Sequence, residues 1–202
     1  MEGIEPGDVF FIKVISASGD DSGRPRRRGI PGDWHPFSVV RADPDRLGFL
    51  IRQLGDFTGS LSTLPVGARI AFQGPYGRFG RIAEAGDGRP LVLVGMGAGA
   101  APLLSLLDAH AANRPVHLLW SLRPTDLGAA RGLVERYGGT SRLTLQDHRF
   151  TAETLASELD EAAKTEGQFF IVGPPRAVLA MRRTLRRLGV PRARLHDERL
   201  TM

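Results

Sequence analysis

The 202-residue chain contains no cysteine. That excludes disulfides, a Cys-ligated iron–sulfur cluster and a thiol nucleophile. Any electron that moves here does so without a metal–sulfur relay, and no metal site is expected. No apolar run approaches the ~20 residues that cross a bilayer, and the acidic start MEGIEPGD lacks the basic and hydrophobic regions of a signal peptide. These absences set the expectation of a cytoplasmic chain. Lysine is scarce, so the formal net charge of +5 comes almost wholly from arginine. The arginines are scattered through helices and loops without a recognition motif, which disfavours nucleic acid as a partner. The densest run, RPRRR from Arg24 to Arg28, lies between Gly23 and Gly29 and reads as a solvated surface loop. Contact with anionic lipid at the inner face of a membrane, or with a partner, is the weaker alternative for that loop.

What the chain does have is two halves with different rhythms. From Val9 to about Gln73, short apolar segments (VFFIKVIS, PFSVVRA, LGFLIRQLG, ARIAFQG) are separated by turn residues, which predicts an antiparallel sheet or barrel. After Asp87 the strand-like runs LVLVG, VHLLWS, RLTLQD and FFIVG alternate with helix-like segments at 100–112, 126–137, 152–164 and 175–188. That alternation predicts βαβ units and a doubly wound parallel sheet. The linker EAGDGRP, Glu84 to Pro90, divides the chain into residues 1–88 and 89–202. In the last helix Val178, Met181, Leu185 and Leu188 form an apolar stripe, and Arg182, Arg183, Arg186 and Arg187 occupy the solvated positions.

One stretch, LVLVGMGAGAAP from Leu91 to Pro102, bears directly on function. Gly95, Gly97 and Ala100 satisfy G-x-G-x-x-A between a predicted strand and a predicted helix. Gly97 and Gly99, with Ala98 between them, would let a pyrophosphate approach free backbone N–H groups at a helix start, and Pro102 suits the first turn. The plain alternative is that small residues only let helix and strand touch. After the second strand, VHLLW continues into Ser121, Leu122 and Arg123, and the first acid is Asp126. An arginine in place of an acid points towards NADPH over NADH, although an ordinary exposed Arg123 is the competing reading. A third feature, FFIVGPPRAV, ends a buried strand in Gly173, Pro174 and Pro175, leaving a rigid edge at the end of the sheet where ligands bind.

Taken in order, HPFS (His35 to Ser38), LIRQLGDFT (Leu50 to Thr58), GPYG (Gly74 to Gly77), G-x-G-x-x-P (Gly97 to Pro102) and GPP (Gly173 to Pro175) resemble the motifs of ferredoxin-NADP reductase-like flavoproteins. HPFS with GDFT is most similar to the branch of ferric reductases and NADPH oxidase dehydrogenase domains. The resemblance implies an N-terminal antiparallel FAD-binding barrel followed by an α/β domain for NAD(P)H. It also implies hydride transfer from NADPH or NADH to FAD and release of single electrons to haem, ferric iron, quinone or oxygen. In that frame Phe37 lies against the isoalloxazine, Ser38 hydrogen-bonds near its reactive N5, and His35, with Pro36, helps hold the ring. Arg52 and the Gly55–Asp56–Phe57–Thr58 turn meet the flavin phosphates, Thr58 serving either phosphate or helix cap. Gly74 and Tyr76 form the turn beneath the cofactor, Tyr76 reading equally well as core.

Departures from the family pattern are specific. Val172 stands where a cysteine often lies near the nicotinamide, and Leu200 follows Glu198 and Arg199 where an aromatic is frequent. The family's barrel has several strands before the PGDVFFIKV segment, whereas this chain starts almost at it, so the barrel reads as truncated at its start: either the sequence is a fragment of a protein whose other part holds the remaining strands and a haem-bearing membrane domain or subunit, or it is complete and another chain covers the open edge. A nucleotide-binding or regulatory module without turnover, and a reductase of free flavin, are the alternative functions.

Overall fold

The computed structural model describes residues 3–16, 33–43, 45–138 and 141–200, so the arginine run from Arg24 to Arg28 lies outside the described residues. Strand β1 (Val9–Ser16) shows why the front half is a sheet: Phe10, Ile12 and Val14 are buried at alternate positions. It pairs antiparallel with β2 (His35–Asp43) on one side and with β4 (Arg69–Tyr76) on the other, and β3 (Arg46–Phe49) extends β2. The order is β3-β2-β1-β4. Phe49 on one edge strand stacks with Phe72 on the other, centroids 6.2 Å apart and planes 13° from parallel. The sheet is therefore coiled towards a barrel. The expected strand LGFLIRQLG pairs only as far as Phe49; from Leu50 to Gly55 the chain leaves the sheet and enters α1 (Asp56–Leu61), because those side chains face a cavity instead of a neighbouring strand.

The second half holds β5 (Leu91–Met96), β6 (Val116–Ser121), β7 (Arg142–Gln146), β8 (Gln168–Gly173) and β9 (Leu195–Arg199), all parallel, in the order β7-β6-β5-β8-β9. Successive residues of the strands face opposite cores. Leu91, Leu93, Leu118 and Phe170 join α2 (Phe79–Glu84), α3 (Ala101–His110) and α4 (Leu127–Val134) on one side. Val92, Val94, Phe169 and Ile171 join α5 (Ala152–Glu158), α6 (Glu161–Thr165) and α7 (Pro175–Arg187) on the other. The chain winds outwards from β5 to β7 and then returns to place β8 beside β5. That reversal puts the topological switch point at the carboxyl ends of β5 and β8, where a ligand crevice forms.

Three elements differ from the sequence expectation. The single helix over 152–164 is two, because Asp160 starts a new one by accepting a hydrogen bond from the Ala163 N–H at 2.7 Å. Helix α2 and strand β9 are additions. In α7 the apolar stripe packs as expected, but Arg182 is not solvated: its guanidinium donates to Asp197 and, at 2.9 Å, to the Leu195 carbonyl. Helix α3 packs along β2, and Phe79 of α2 meets Phe170 edge-on at 5.0 Å, so the two halves share an extensive seam. Among the described residues no helix is long and apolar enough to cross a membrane.

Candidate functional site

A cavity of about 730 Å³ opens between the two sheets. Its walls come from four separate segments: His35 to Ser38 of β2, the Leu50–Thr58 stretch, the Gly99–Pro102 helix start, and Glu198 to Leu200 at the end of β9. Pairing positions the first wall, since Val9 of β1 sits opposite Ser38 and itself lines the cavity.

An aromatic stack backs this wall. The His35 ring lies on Phe57, 3.7 Å between centroids and 18° between planes, and Phe37 lies 6.1 Å from Phe57 at 23°. Phe57 is buried in the front core, so α1 is tied down by its one buried residue. The rings leave two polar atoms stranded: His35 Nε2 and Arg52 Nη2 are buried and lack a hydrogen-bond partner. Arg52 Nη2 lies 2.9 Å from Asp126 Oδ2, an ion pair without a counted hydrogen bond, so this guanidinium is held by a carboxylate and keeps donor capacity for a further acceptor. Two unsatisfied donors or acceptors in one cavity wall fit an anionic, hydrogen-bonding ligand with a planar aromatic part. Thr58 takes a different part, because its hydroxyl accepts from the Leu54 and Gly55 N–H groups at 2.9 and 3.1 Å and so fixes the start of α1.

The glycines of the stretch differ by position. Gly97 has φ +68° and open space where a Cβ would stand. Gly99 is a packing glycine, since a Cβ there would lie 2.9 Å from the Val172 carbonyl oxygen. Gly95 is likewise filled around, by Trp120 and Leu103. The Trp120 indole N–H donates to the Gly97 carbonyl at 2.9 Å and pins the turn from Gly97 through Ala98 to Ala100. The turn thus abuts the β8 end, where Val172 and Gly173 lead into Pro174 and Pro175. Leu200 closes the same corner by donating its N–H to the Gly173 carbonyl at 3.0 Å.

The structure does not bring every expected residue to the cavity wall. Gly74 and Tyr76, on β4, are not among the lining residues, although Tyr76 pairs in register with Val9, which is; Tyr76 is 45% exposed and edge-on to Phe11 at 5.8 Å. Gly95, Gly97, Val172, Gly173, Pro174 and Pro175 lie at the carboxyl ends of β5 and β8, and Ser121 and Arg123 at that of the neighbouring β6, and none of these lines the cavity. Ala98 sits in the turn after β5. Arg123 is not alone there: its Nε is 3.5 Å from the Asp126 carboxylate. Two acidic residues at the site were not singled out from the sequence as site residues. Asp126 is one, and its signal was its place as the first acid after β6. Glu198 is the other; burial pushes its carboxyl up to about 7, with Arg78 opposing and Asp8 reinforcing the shift. Its signal was a charged residue in the alternating run LHDER.

No protein-family model matches the chain. It is 30% identical over 230 residues to the reductase component of propane 2-monooxygenase from Rhodococcus jostii, covering 98% of this chain and 62% of that protein. Over 38% of its length it is 36% identical to respiratory burst oxidase homolog protein F of Arabidopsis thaliana, covering 10% of that protein. Among solved structures, the Amycolatopsis cytochrome P450 reductase GcoB superposes with TM-score 0.72 at 25% identity, over 99% of this chain and 62% of that one. The chain therefore spans about three-fifths of the length of the reductase components it matches end to end. The motifs, the two sheets and the relatives agree: this is a ferredoxin-NADP reductase-like protein.

Proposed function

We propose that the chain is a flavin-dependent NAD(P)H oxidoreductase unit, with FAD in the cavity and the nicotinamide nucleotide at the neighbouring switch point. One observation carries this reading: HPFS, the Arg52–Thr58 stretch, the glycine-turn helix start and the Glu198–Leu200 end, far apart in sequence, line one cavity. The bound pair supplies the chemistry, in which hydride passes from the reduced nicotinamide to FAD and electrons then leave singly.

The chain's own residues bind and orient. Phe37 offers an aromatic edge to a planar ring, and Ser38 offers a hydroxyl beside it. His35 Nε2 gains the hydrogen-bond partner it lacks, and Arg52 Nη2, ion-paired with Asp126, takes phosphate oxygens as hydrogen-bond acceptors. Gly97, with no Cβ to intervene, leaves open space for a second dinucleotide at the turn that Trp120 holds. Residues 1–88 serve the flavin and 89–202 the nicotinamide, with α2 of the first unit docked on the core of the second. No acid, base or nucleophile is required of the protein, because orientation of the two groups does most of the work.

An electron-accepting partner follows from this reading. The relatives named as reductase components of oxygenase systems favour a separate oxygenase or haem protein, and the respiratory burst oxidase homologues favour a haem-bearing membrane domain. The test is anaerobic: protein reconstituted with FAD loses the visible flavin absorption on addition of NADH or NADPH. Retention of the colour with both nucleotides overturns the enzyme reading in favour of a binding module. Flavin that reduces but washes off in gel filtration identifies a reductase of free flavin.

A further inference from the structure

The two arginines assigned to the two nucleotides share one carboxylate. Arg52, on the loop that follows β3, places Nη2 2.9 Å from Asp126 Oδ2. Arg123, just after β6, places Nε 3.5 Å from the same oxygen. Asp126 closes the turn Pro124–Asp126 that leads into α4, and the Asp126 N–H donates to the Arg123 carbonyl at 2.9 Å, so its position is set by the backbone. The three side chains thus bridge the flavin half and the nicotinamide half. Arg52 and Asp126 are 24% and 32% exposed and Arg123 is 64% exposed, so the shorter, drier contact to Arg52 dominates and Arg123 is the outer partner.

We propose that Asp126 couples the two nucleotide sites and sets the choice between NADH and NADPH; this rests on the cofactor reading above. While Arg52 holds Asp126, the carboxylate is largely spoken for and Arg123 retains cationic character towards a 2′-phosphate. Once Arg52 turns to the pyrophosphate of FAD, Asp126 is left to Arg123 alone. The outer arginine is then neutralised, and a carboxylate stands beside the place where a 2′-phosphate dianion approaches. Occupation of the flavin site therefore turns the second site away from 2′-phosphorylated nucleotides. Arg123 read from sequence as a free cation favours NADPH; with Asp126 beside it, the FAD-loaded protein favours NADH.

The experiment is calorimetric titration of adenosine 2′,5′-bisphosphate and of AMP into the FAD-free and FAD-loaded protein at low and at high salt. In the wild type the affinity ratio of bisphosphate to AMP falls about three- to fivefold on FAD loading, the scale of a partly exposed ion pair, and the change shrinks with salt. Asp126→Asn holds the ratio high in both forms and removes its dependence on FAD. A wild-type ratio indifferent to FAD overturns the coupling without recourse to any variant, as does an Asp126→Asn protein that keeps the wild-type dependence. Failure of FAD to bind removes the cofactor reading and the coupling together; FAD that binds while the ratio stays constant removes the coupling alone.

Discussion

The imidazole of His35 rests flat on the Phe57 ring at 3.7 Å, joining a residue of β2 to the single buried residue of α1. This contact holds the cavity's aromatic wall against the Leu50–Thr58 stretch. Phe57→Ala removes the ring from the front core and is expected to cost about 3–5 kcal/mol, as large truncations in packed cores do. Urea unfolding measures that loss, and FAD titration of the folded fraction is expected to show weaker binding, because Arg52 and the start of α1 lose their support.

The glycine turn is held from both sides, and the two sides are separable by mutation. Trp120→Phe keeps the ring that packs on Gly95 but loses the bond to the Gly97 carbonyl, a change of about 1 kcal/mol in stability. Gly99→Ala drives a methyl group into the Val172 carbonyl and pushes the turn away from β8. Both variants are expected to weaken AMP binding, with Gly99→Ala the more severe, as calorimetry can check.

Glu198 and His117 give opposite pH signatures. Folded Glu198, at about 7 against an ordinary 4.5, binds its proton where the unfolded chain has released it, so stability falls as pH rises between those values and is level above. His117 is buried neutral against Thr144, and its pKa is lowered from 6.5 to about 4, chiefly by burial and next by Arg142. The unfolded chain therefore binds the extra proton, and stability rises with pH across that window, complete above 6.5. Urea midpoints across pH are expected to lose the falling slope in Glu198→Gln and the rising slope in His117→Gln.

Ser38 faces the cavity beside Phe37 and has no part in the core of the front sheet. Ser38→Ala is expected to slow anaerobic flavin reduction about tenfold, equivalent to roughly 1.4 kcal/mol in the barrier, while FAD affinity changes less. Stopped-flow reduction with a parallel FAD titration separates the two effects.

Much of this was legible in the residues, for identifiable reasons. The second half announced itself because strands buried on both faces read as unbroken Leu, Val and Ile runs, and α7 because its stripe repeats at helical spacing. Helix α2 was hidden by Gly77 and Gly80, whose turn character masked Phe79, Ile82 and Ala83. Strand β9 was hidden because Asp197 and Glu198 are half-buried acids, the first held by Arg182 and Arg199. At the site, motif residues were readable singly, but sequence spacing does not say that one carboxylate, Asp126, serves arginines on both halves. That relation exists only once α4 is folded against the loop after β3.

The most direct test of the central claim is a crystal structure of the FAD complex. The expected complex has the flavin ring against Phe37 and Ser38, its phosphates at Arg52 and the start of α1, and its exposed face towards Gly99 and Leu200. A dinucleotide bound elsewhere, or confined to one sheet with the 730 Å³ cavity empty, would contradict it.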